Sequence, residues 1–322
     1  MISLTIDDIL RGTRLGAIQS AGAMQVVPVL GDDVAELAPP RVEVRTTAYG
    51  TIELRNPSEL PTLVPTGAGW MVKDRAQDHA IGSAALLRPA AKRAIDTAMC
   101  IQQTQGGLIR SAAHELLILP SALRAPALAK RRERDFRKLW EDISAFNLDH
   151  DIEGPGGGHL EYFLTRYARE LDEFVAEFEV VPEQVGAVVL IDGLVVGVER
   201  APSAAYWQVV WTPLVRVCYG SLTVATTSPA PPATRVPLDL RERSLAGLAA
   251  ALDTAECAEQ AAATGRVDAL RTDALALSTE VDDHLPGLRV HTVAGAHLSG
   301  QVLVAAGGTI AYASVCATST AA

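Results

Sequence analysis

Cysteine is scarce in this sequence, and its arrangement disfavours two kinds of site. The 322-residue chain has four cysteines, namely Cys100, Cys218, Cys257 and Cys316. They form no C-x-x-C pair, and their spacing matches no zinc signature. Each lies in an apolar context, where a buried free thiol is the expected state. We therefore expect no disulfide framework, which favours a reducing compartment.

Long apolar runs are also missing. No segment approaches the roughly 18 uncharged apolar residues that indicate a transmembrane helix. The first twenty residues carry four charged side chains, which disfavours a signal peptide, at Asp7, Asp8, Arg11 and Arg14. These features predict a cytoplasmic protein. The formal net charge of −10 disfavours a nucleic-acid or membrane surface over the whole molecule.

Recognised catalytic and cofactor motifs are absent. The sequence contains no G-x-S-x-G, H-E-x-x-H or G-x-G-x-x-G pattern. The acidic loop 149–153, followed by His159, has the residue types of a metal site, but its spacing fits neither an EF-hand nor a zinc site. A solvated linker is the simpler interpretation, so we expect no metal and no cofactor.

The segment 184–200 is the best-specified structural element. Two nearly continuous apolar runs flank Asp192-Gly193, the pair preferred where a two-residue hairpin turn needs positive φ twice. A strand that is apolar on both faces is covered on both faces, so this hairpin is expected at the centre of the fold. Apolar residues at helical spacing over 206–219 provide a cover for one face.

The order of the remaining elements indicates an α+β fold. Short alternating segments predict strands in the first third of the chain, such as 42–47 and 52–55. Helical periodicity then predicts helices over 136–146 and 159–178. After a proline-rich connector at 228–237, we expect a helix from Arg241 to about Ala263, followed by closing strands from Val267.

Together these elements predict layered, sandwich- or barrel-like β-sheets built from both ends of the chain, with amphipathic helices packed on them. The helices assigned to this packing cover 126–178 and 204–220. We expect one domain, 1–322, with the proline-rich connector as an internal segment.

Several segments resemble one family. They are Tyr49–Asn56, Val72–His79, Ala98–Gln102, Leu139-Trp140, and Gln184–Gly193 running into Gly197-Val198-Glu199. They are similar to the bacterial ARG-and-rhodanese-phosphatase-superfamily-associated protein domain, where ARG denotes ADP-ribosylglycohydrolase. The resemblance implies a link to ADP-ribosyl metabolism and to conflict between cells and genetic elements, but no catalytic residues. Other members tend to show a Glu and an Arg-Trp pair after the cysteine, where this chain has Gln102, Gln103, Thr104 and Gln105.

Three places could bind a ligand. The predicted ligand-binding residues are Lys73, Arg75, Gln77, Asp78, His79, Gln102 and Glu199. In the first group, Lys and Arg could hold a phosphate while Asp78 and His79 act as acid and base; the alternative is an exposed turn whose charges are solvated or paired. Gln102 could bind a polar ligand or belong to a hydrogen-bonded turn. Glu199 could be a general base, or could pair with Arg200 or Arg216.

Two functions remain open at this point. The first is a non-catalytic module that binds a partner protein or assembles with itself as a homo-oligomer. The second is a hydrolase or sensor acting on an ADP-ribosyl or nucleotide ligand. The sequence favours the module, because the enzyme rests on the family's associations and not on any arrangement of residues.

Overall fold

The computed structural model describes residues 3–72, 78–103, 114–154, 157–225 and 244–318. Its strands are β1 (Ser3–Thr5), β2 (Thr13–Leu15), β3 (Gln19–Ala21), β4 (Met24–Gly31), β5 (Glu43–Ala48), β6 (Thr51–Arg55), β7 (Thr62–Val64), β8 (Ala68–Val72), β9 (His79–Ala80), β10 (Ala85–Leu87), β11 (Lys92–Ile95), β12 (Met99–Cys100), β13 (His114–Ile118), β14 (Gln184–Ile191), β15 (Leu194–Arg200), β16 (Ala274–Leu285), β17 (Leu288–Ala294), β18 (Leu298–Ala305) and β19 (Ile310–Ala317).

The α-helices are α1 (Ile6–Leu10), α2 (Ser121–Ala129), α3 (Trp140–Asp149), α4 (Leu160–Arg166), α5 (Ala168–Ala176), α6 (Ala204–Pro213), α7 (Gly220–Ala225) and α8 (Leu245–Leu270). A π-helix, Leu214–Tyr219, joins α6 to α7, and a short 3-10 helix, Ala306–Gly308, precedes β19. No helix in the described ranges is long and apolar enough to cross a membrane.

A ten-stranded antiparallel sheet combines both ends of the chain. Its order is β1-β16-β17-β18-β19-β15-β14-β4-β2, and β3 also pairs with β4. The N-terminal strands therefore lie at both edges of the C-terminal meander and hairpin. The predicted α+β class, with β-layers built from both ends, is confirmed.

The predicted hairpin occupies the middle of this sheet. Asp192 and Gly193 have φ of 48° and 73°, as a two-residue hairpin turn requires. β14 is buried along its whole length. Tyr206 and Trp207 of α6 belong to the apolar cluster on one side of the hairpin, which also includes Val189. Helices α1 and α8 contribute to the cluster on the other side.

The segment between β4 and α2 forms three smaller sheets. Their orders are β11-β6-β5, β10-β7 and β12-β9-β8-β13. The last of these packs with α2, α3 and α4 around a third apolar cluster. This packing brings the end of β12 next to the start of α4, where the candidate site lies.

Three predicted helices differ from the structure. The helix expected over 136–146 begins only at Trp140 and continues to Asp149. The helix expected over 159–178 is divided into α4 and α5 at Tyr167, whose φ of −110° and ψ of 18° leave the helical region. The Tyr167 hydroxyl donates to the carbonyl oxygen of His150, which fixes the division. The apolar stripe is continuous in sequence, so periodicity could not locate the break.

The long C-terminal helix runs further than predicted. It begins at Leu245, where the Ser244 hydroxyl caps it by accepting the Gly247 N–H at 3.0 Å, and it continues to Leu270. Val267, which we had assigned to a strand, is buried one turn after Ala263 on the same helix face. A short apolar stretch fits a strand or a buried helix equally well, so the sequence alone did not decide between them.

The hairpin turn gives a direct test of the fold. Gly193→Val should cost more than about 1 kcal/mol of unfolding free energy, because a β-branched residue is strained at positive φ. Urea denaturation measures this cost. The control is Gly265→Ala in α8, where an added Cβ has no neighbour within 4 Å; it should gain about 0.5–1 kcal/mol. An unchanged midpoint for Gly193→Val would contradict the assigned turn.

Candidate functional site

The predicted site residues fall into two separate places. Asp78, His79 and Gln102 lie in one buried cluster beside β9 and β12, while Glu199 lies in another, at the end of β15. Three further predicted residues lie outside the described residues: Lys73, Arg75 and Gln77.

The first cluster is a chain of three side chains, which we call the Asp78 relay. Gln102 Nε2 donates to Asp78 Oδ2 at 3.1 Å, and Gln102 Oε1 lies 3.0 Å from His159 Nδ1. Asp78 and Gln102 are fully buried and His159 is nearly so. Gln102 and His159 also face each other as an isolated antiparallel bridge. Backbone pairing therefore sets the register that brings the amide to the imidazole.

The amide fixes where the protons lie. The Gln102 NH₂ group donates to Asp78, so the amide oxygen faces His159. His159 Nδ1 must then carry a hydrogen, and Nε2 is the nitrogen that would accept a proton. Burial lowers the pKa of His159, although Glu161 opposes this weakly, so the ring is neutral near pH 7.

Asp78 and His79 are not part of an exposed turn. His79 Nε2 accepts the Gly50 N–H at 3.2 Å, and His79 is almost fully buried. Gly50 has φ of +72°, and a Cβ there would lie 2.8 Å from Phe136 Cβ. The imidazole therefore holds a turn that only glycine fits, and the alternative of solvated charges is wrong for these two residues.

Two further residues support the relay, and one of them, Asn147, has no feature in the sequence that marks it. Asn147 Nδ2 donates to the carbonyl oxygens of Gly157 at 2.7 Å and His159 at 2.9 Å. Cys100 Sγ donates to the Gln102 carbonyl oxygen at 3.0 Å, and burial raises the pKa of this thiol to about 11. Cys100 is therefore a neutral structural thiol. Asn147 fixes the backbone that carries His159.

The Nδ1 nitrogen of His159 is bonded to Gln102 and not to the acidic loop 149–153. In the part of the chain that the structure describes, no group of three or more His, Cys, Asp or Glu side chains could hold a metal ion.

Glu199 is the centre of the second cluster, which we call the Glu199 network. Its Oε1 accepts from Arg124 Nη1 at 2.9 Å and from the Tyr219 hydroxyl at 2.7 Å, and its Oε2 accepts from the Ser314 hydroxyl. Arg124 Nη2 also donates to Ser314. Glu199 and Arg124 are only 3% and 4% exposed. A buried carboxylate needs this number of donors to offset its desolvation.

The partner of Glu199 differs from the one expected. Arg200 donates to the carbonyl oxygens of Ile9 and Arg11, and Arg216 Nε donates to Asp172 at 2.6 Å. Neighbouring residues on a strand point to opposite faces, so Arg200 cannot reach the side chain beside it. Sequence analysis missed Arg124, because nothing in its helix marks it for burial.

Gly197 makes room for the Glu199 network. A Cβ at this position would lie 2.0 Å from the Tyr219 hydroxyl. The π-helix carries Tyr219 over β15, and glycine two residues before Glu199 lets the phenol approach the carboxylate. A small cavity beside the network, lined in part by Glu199, Arg200 and Tyr206, has room for about one water molecule.

The Asp78 relay predicts a pH-dependent cost for Gln102→Glu. A second buried carboxylate beside Asp78 has its pKa raised by repulsion and burial, so its folded pKa exceeds its unfolded one. The variant is then least destabilised at low pH and loses stability as pH rises through the folded pKa. We expect a loss above about 2 kcal/mol at pH 8, and a smaller loss at pH 5, by urea denaturation.

The matched control for this variant is Gln103→Glu. Gln103 Oε1 accepts the Gly158 N–H at 3.1 Å from a half-buried position, and a carboxylate keeps that acceptor. Its cost should stay below about 1 kcal/mol at both pH values. Equal losses for the two variants, or a Gln102→Glu loss that does not change with pH, would contradict the relay.

Comparison with known families places the chain. The model of the ARG and Rhodanese-Phosphatase-superfamily-associated Protein domain, ARPP-1, matches residues 12–294. The match contains the Asp78 relay and includes Glu199, Arg124 and Tyr219, whereas Ser314 lies beyond it. No curated protein and no solved structure matches the chain. Because the family model covers most of the chain, the chain belongs to the ARPP-1 domain family.

Proposed function

We propose that this protein is a non-catalytic binding module that assembles with a second copy of itself or with a protein partner. The observation that carries the proposal is the position of Gln102 between Asp78 and His159. An amide cannot gain or lose a proton near neutral pH, so it blocks proton transfer between the carboxylate and the imidazole. The arrangement suits a fixed structure better than acid–base chemistry.

Glu199 supports the same conclusion. A general base needs a lone pair that reaches the proton it removes. Both oxygens of Glu199 accept hydrogen bonds from within the protein, and the cavity beside it has room for about one water molecule. The carboxylate therefore joins elements of the fold and does not face a substrate.

Helix α8 offers a surface for assembly. Of its 26 residues, those buried are Ala263 and Val267, near its C-terminal end. Leu245 and Leu252 are 89% and 41% exposed, among many alanines. Exposed large apolar residues grouped on one helix are typical of an interaction surface.

The size of this surface indicates a weak or composite interface. A helix of 26 residues is about 39 Å long, and a face about 10 Å wide provides roughly 400 Å². A standard stable interface buries about 800 Å² on each partner. Self-association through α8 alone should therefore depend on concentration, and a tighter complex would use neighbouring surface as well.

The family's association with ARG supports a role of this assembly in ADP-ribosyl metabolism.

A second candidate is a sensor or hydrolase of an ADP-ribosyl or nucleotide ligand. Its support is the neutral His159 ring, whose Nε2 is the proton-accepting nitrogen, and the nearness in sequence of Lys73 and Arg75 to the buried Asp78. It ranks second because Gln102 separates the base from the acid.

Light scattering over a concentration series tests the module. Leu245→Asp combined with Leu252→Asp should abolish concentration-dependent assembly, because it places charge at the two exposed leucines of α8. The control is Leu194→Asp, which changes a leucine that is 64% exposed at the start of β15; its assembly should match the unmodified protein.

Calorimetry and thermal shift against ADP-ribose, NAD and nucleotides separate the two candidates. The module predicts no saturable binding of these compounds by the unmodified protein. Saturable ADP-ribose binding that is lost in Arg75→Ala, with turnover seen by mass spectrometry, would overturn the module in favour of the enzyme.

In the light-scattering experiment, assembly that is weakened equally by Leu194→Asp would show that α8 is not the assembly surface.

A further inference from the structure

Two thiols meet at the guanidinium of Arg124. Arg124 Nη1 lies 2.7 Å from Cys316 Sγ and 3.7 Å from Cys218 Sγ. Cys316 comes from β19 and Cys218 from the π-helix. Both thiols are buried and free, as expected, but their surroundings include a guanidinium group. The expected burial is wrong for Cys257, which is exposed on α8.

The surroundings give the two thiols opposite properties. Burial acts to raise the pKa of Cys316, but the hydrogen bond with Cys218 and the charge of Arg124 outweigh it, so its pKa lies below the ordinary value. Glu199 shares Arg124 and weakens this effect without reversing it. Burial and the interaction with Cys316 both raise the pKa of Cys218. Cys316 is therefore the better thiolate and nucleophile, and Cys218 keeps its proton.

A narrow cleft reaches Cys316 and Arg124. It is lined by Thr66, Arg124, Leu128, Ser299, Gly300 and Cys316, among others. The space is about that of one water molecule, so it suits a small oxidant such as hydrogen peroxide and excludes phosphorylated metabolites or bulky thiol reagents. Arg124 Nε is buried and has no hydrogen-bond partner among the described residues, which leaves a donor for a small polar molecule.

We propose that Cys316 is a peroxide-reactive thiol and that Cys218 resolves its oxidised form into an internal disulfide. The Cys316 thiolate attacks one peroxide oxygen; an S–O bond forms, the O–O bond breaks, and the hydroxide that leaves takes a proton to become water. The Cys218 thiol then passes its proton to the hydroxyl of the Cys316 sulfenic acid as its sulfur attacks the Cys316 sulfur; the S–O bond breaks, the S–S bond forms, and the second water leaves. Hydrogen peroxide is reduced, and two thiols are oxidised.

The four cysteines supply the controls within one chain. Cys100 is equally buried but has a pKa raised to about 11, chiefly by burial, and has no guanidinium partner among the described residues. Cys257 is exposed and can cross-link chains, so the experiment uses the full chain carrying Cys257→Ser. The reduced protein is treated with hydrogen peroxide, unfolded, alkylated and analysed by mass spectrometry without reduction.

We expect the free thiols of Cys218 and Cys316 to disappear together, and peptides joined by a Cys218–Cys316 disulfide to appear. The rate should be roughly tenfold or more above that of Cys100 oxidation. Adding Cys218→Ser should leave Cys316 heavier by one oxygen atom. Oxidation of Cys100 at the same rate as Cys316, or a Cys316 that reacts only when the protein unfolds, would overturn the proposal.

The pH profile tests the part played by Arg124. Oxidation of Cys316 should reach its maximal rate at a lower pH than oxidation of Cys257 in the unmodified chain, because the thiolate is the reactive form. Arg124→Gln should move the Cys316 profile to higher pH if this variant folds. If Arg124→Gln does not fold, the pH profile of the unmodified chain still tests the role of Arg124. Equal profiles for Cys316 and Cys257 would contradict an Arg124-stabilised thiolate.

Discussion

The buried ion pair between Arg124 and Glu199 is the interaction on which the centre of this structure depends. It joins α2 to β15, and the Tyr219 and Ser314 hydroxyls extend it to the π-helix and to β19. Burial of both charges is costly, and removing one partner of such a pair typically costs about 3–5 kcal/mol because the other is left uncompensated. The pair therefore specifies which elements meet at the sheet, more than it adds to net stability.

The same constraint links structure to chemistry. Each guanidinium nitrogen has a defined direction, so the hydrogen bonds of Nη1 and Nη2 to Glu199 and Ser314 also set the position of the cation beside Cys316. The network is thus a structural device that creates a polar environment around a thiol. The Asp78 relay, by contrast, uses an amide to satisfy a buried acid, and it connects β12 to α4 without placing a proton-active residue between its ends.

Turn residues and hydrophobic periodicity in the sequence predicted the elements whose conformation depends mainly on neighbouring residues. The hairpin at 184–200 was predictable because Asp192-Gly193 requires positive φ and both flanking runs are apolar. The break at Tyr167 was not, since it depends on a hydrogen bond to His150 across a loop. The start of α8 at Ser244 follows a recognisable cap, whereas its end depends on Val267 packing against the sheet.

The candidate site was predictable only in part. Asp78, His79 and Gln102 stood out as polar residues beside apolar strands, and the structure gathers them. Their burial could not be read from sequence, because charged residues beside a strand are usually solvated. Arg124 and Glu199 are 75 residues apart, and no periodic or turn signal connects them. Contacts of this kind arise from the tertiary fold.

A double-mutant cycle on Tyr219 and Ser314 tests most directly whether Glu199 organises one cooperative network. Tyr219→Phe and Ser314→Ala each remove one hydroxyl donor, to different oxygens of Glu199. Urea denaturation of both single variants and the double variant should give a coupling energy of about 0.5–3 kcal/mol. Tyr167→Phe, whose hydroxyl donates to the His150 carbonyl oxygen away from this network, should be additive with Ser314→Ala. Additivity of Tyr219→Phe and Ser314→Ala within about 0.3–0.5 kcal/mol would contradict the account.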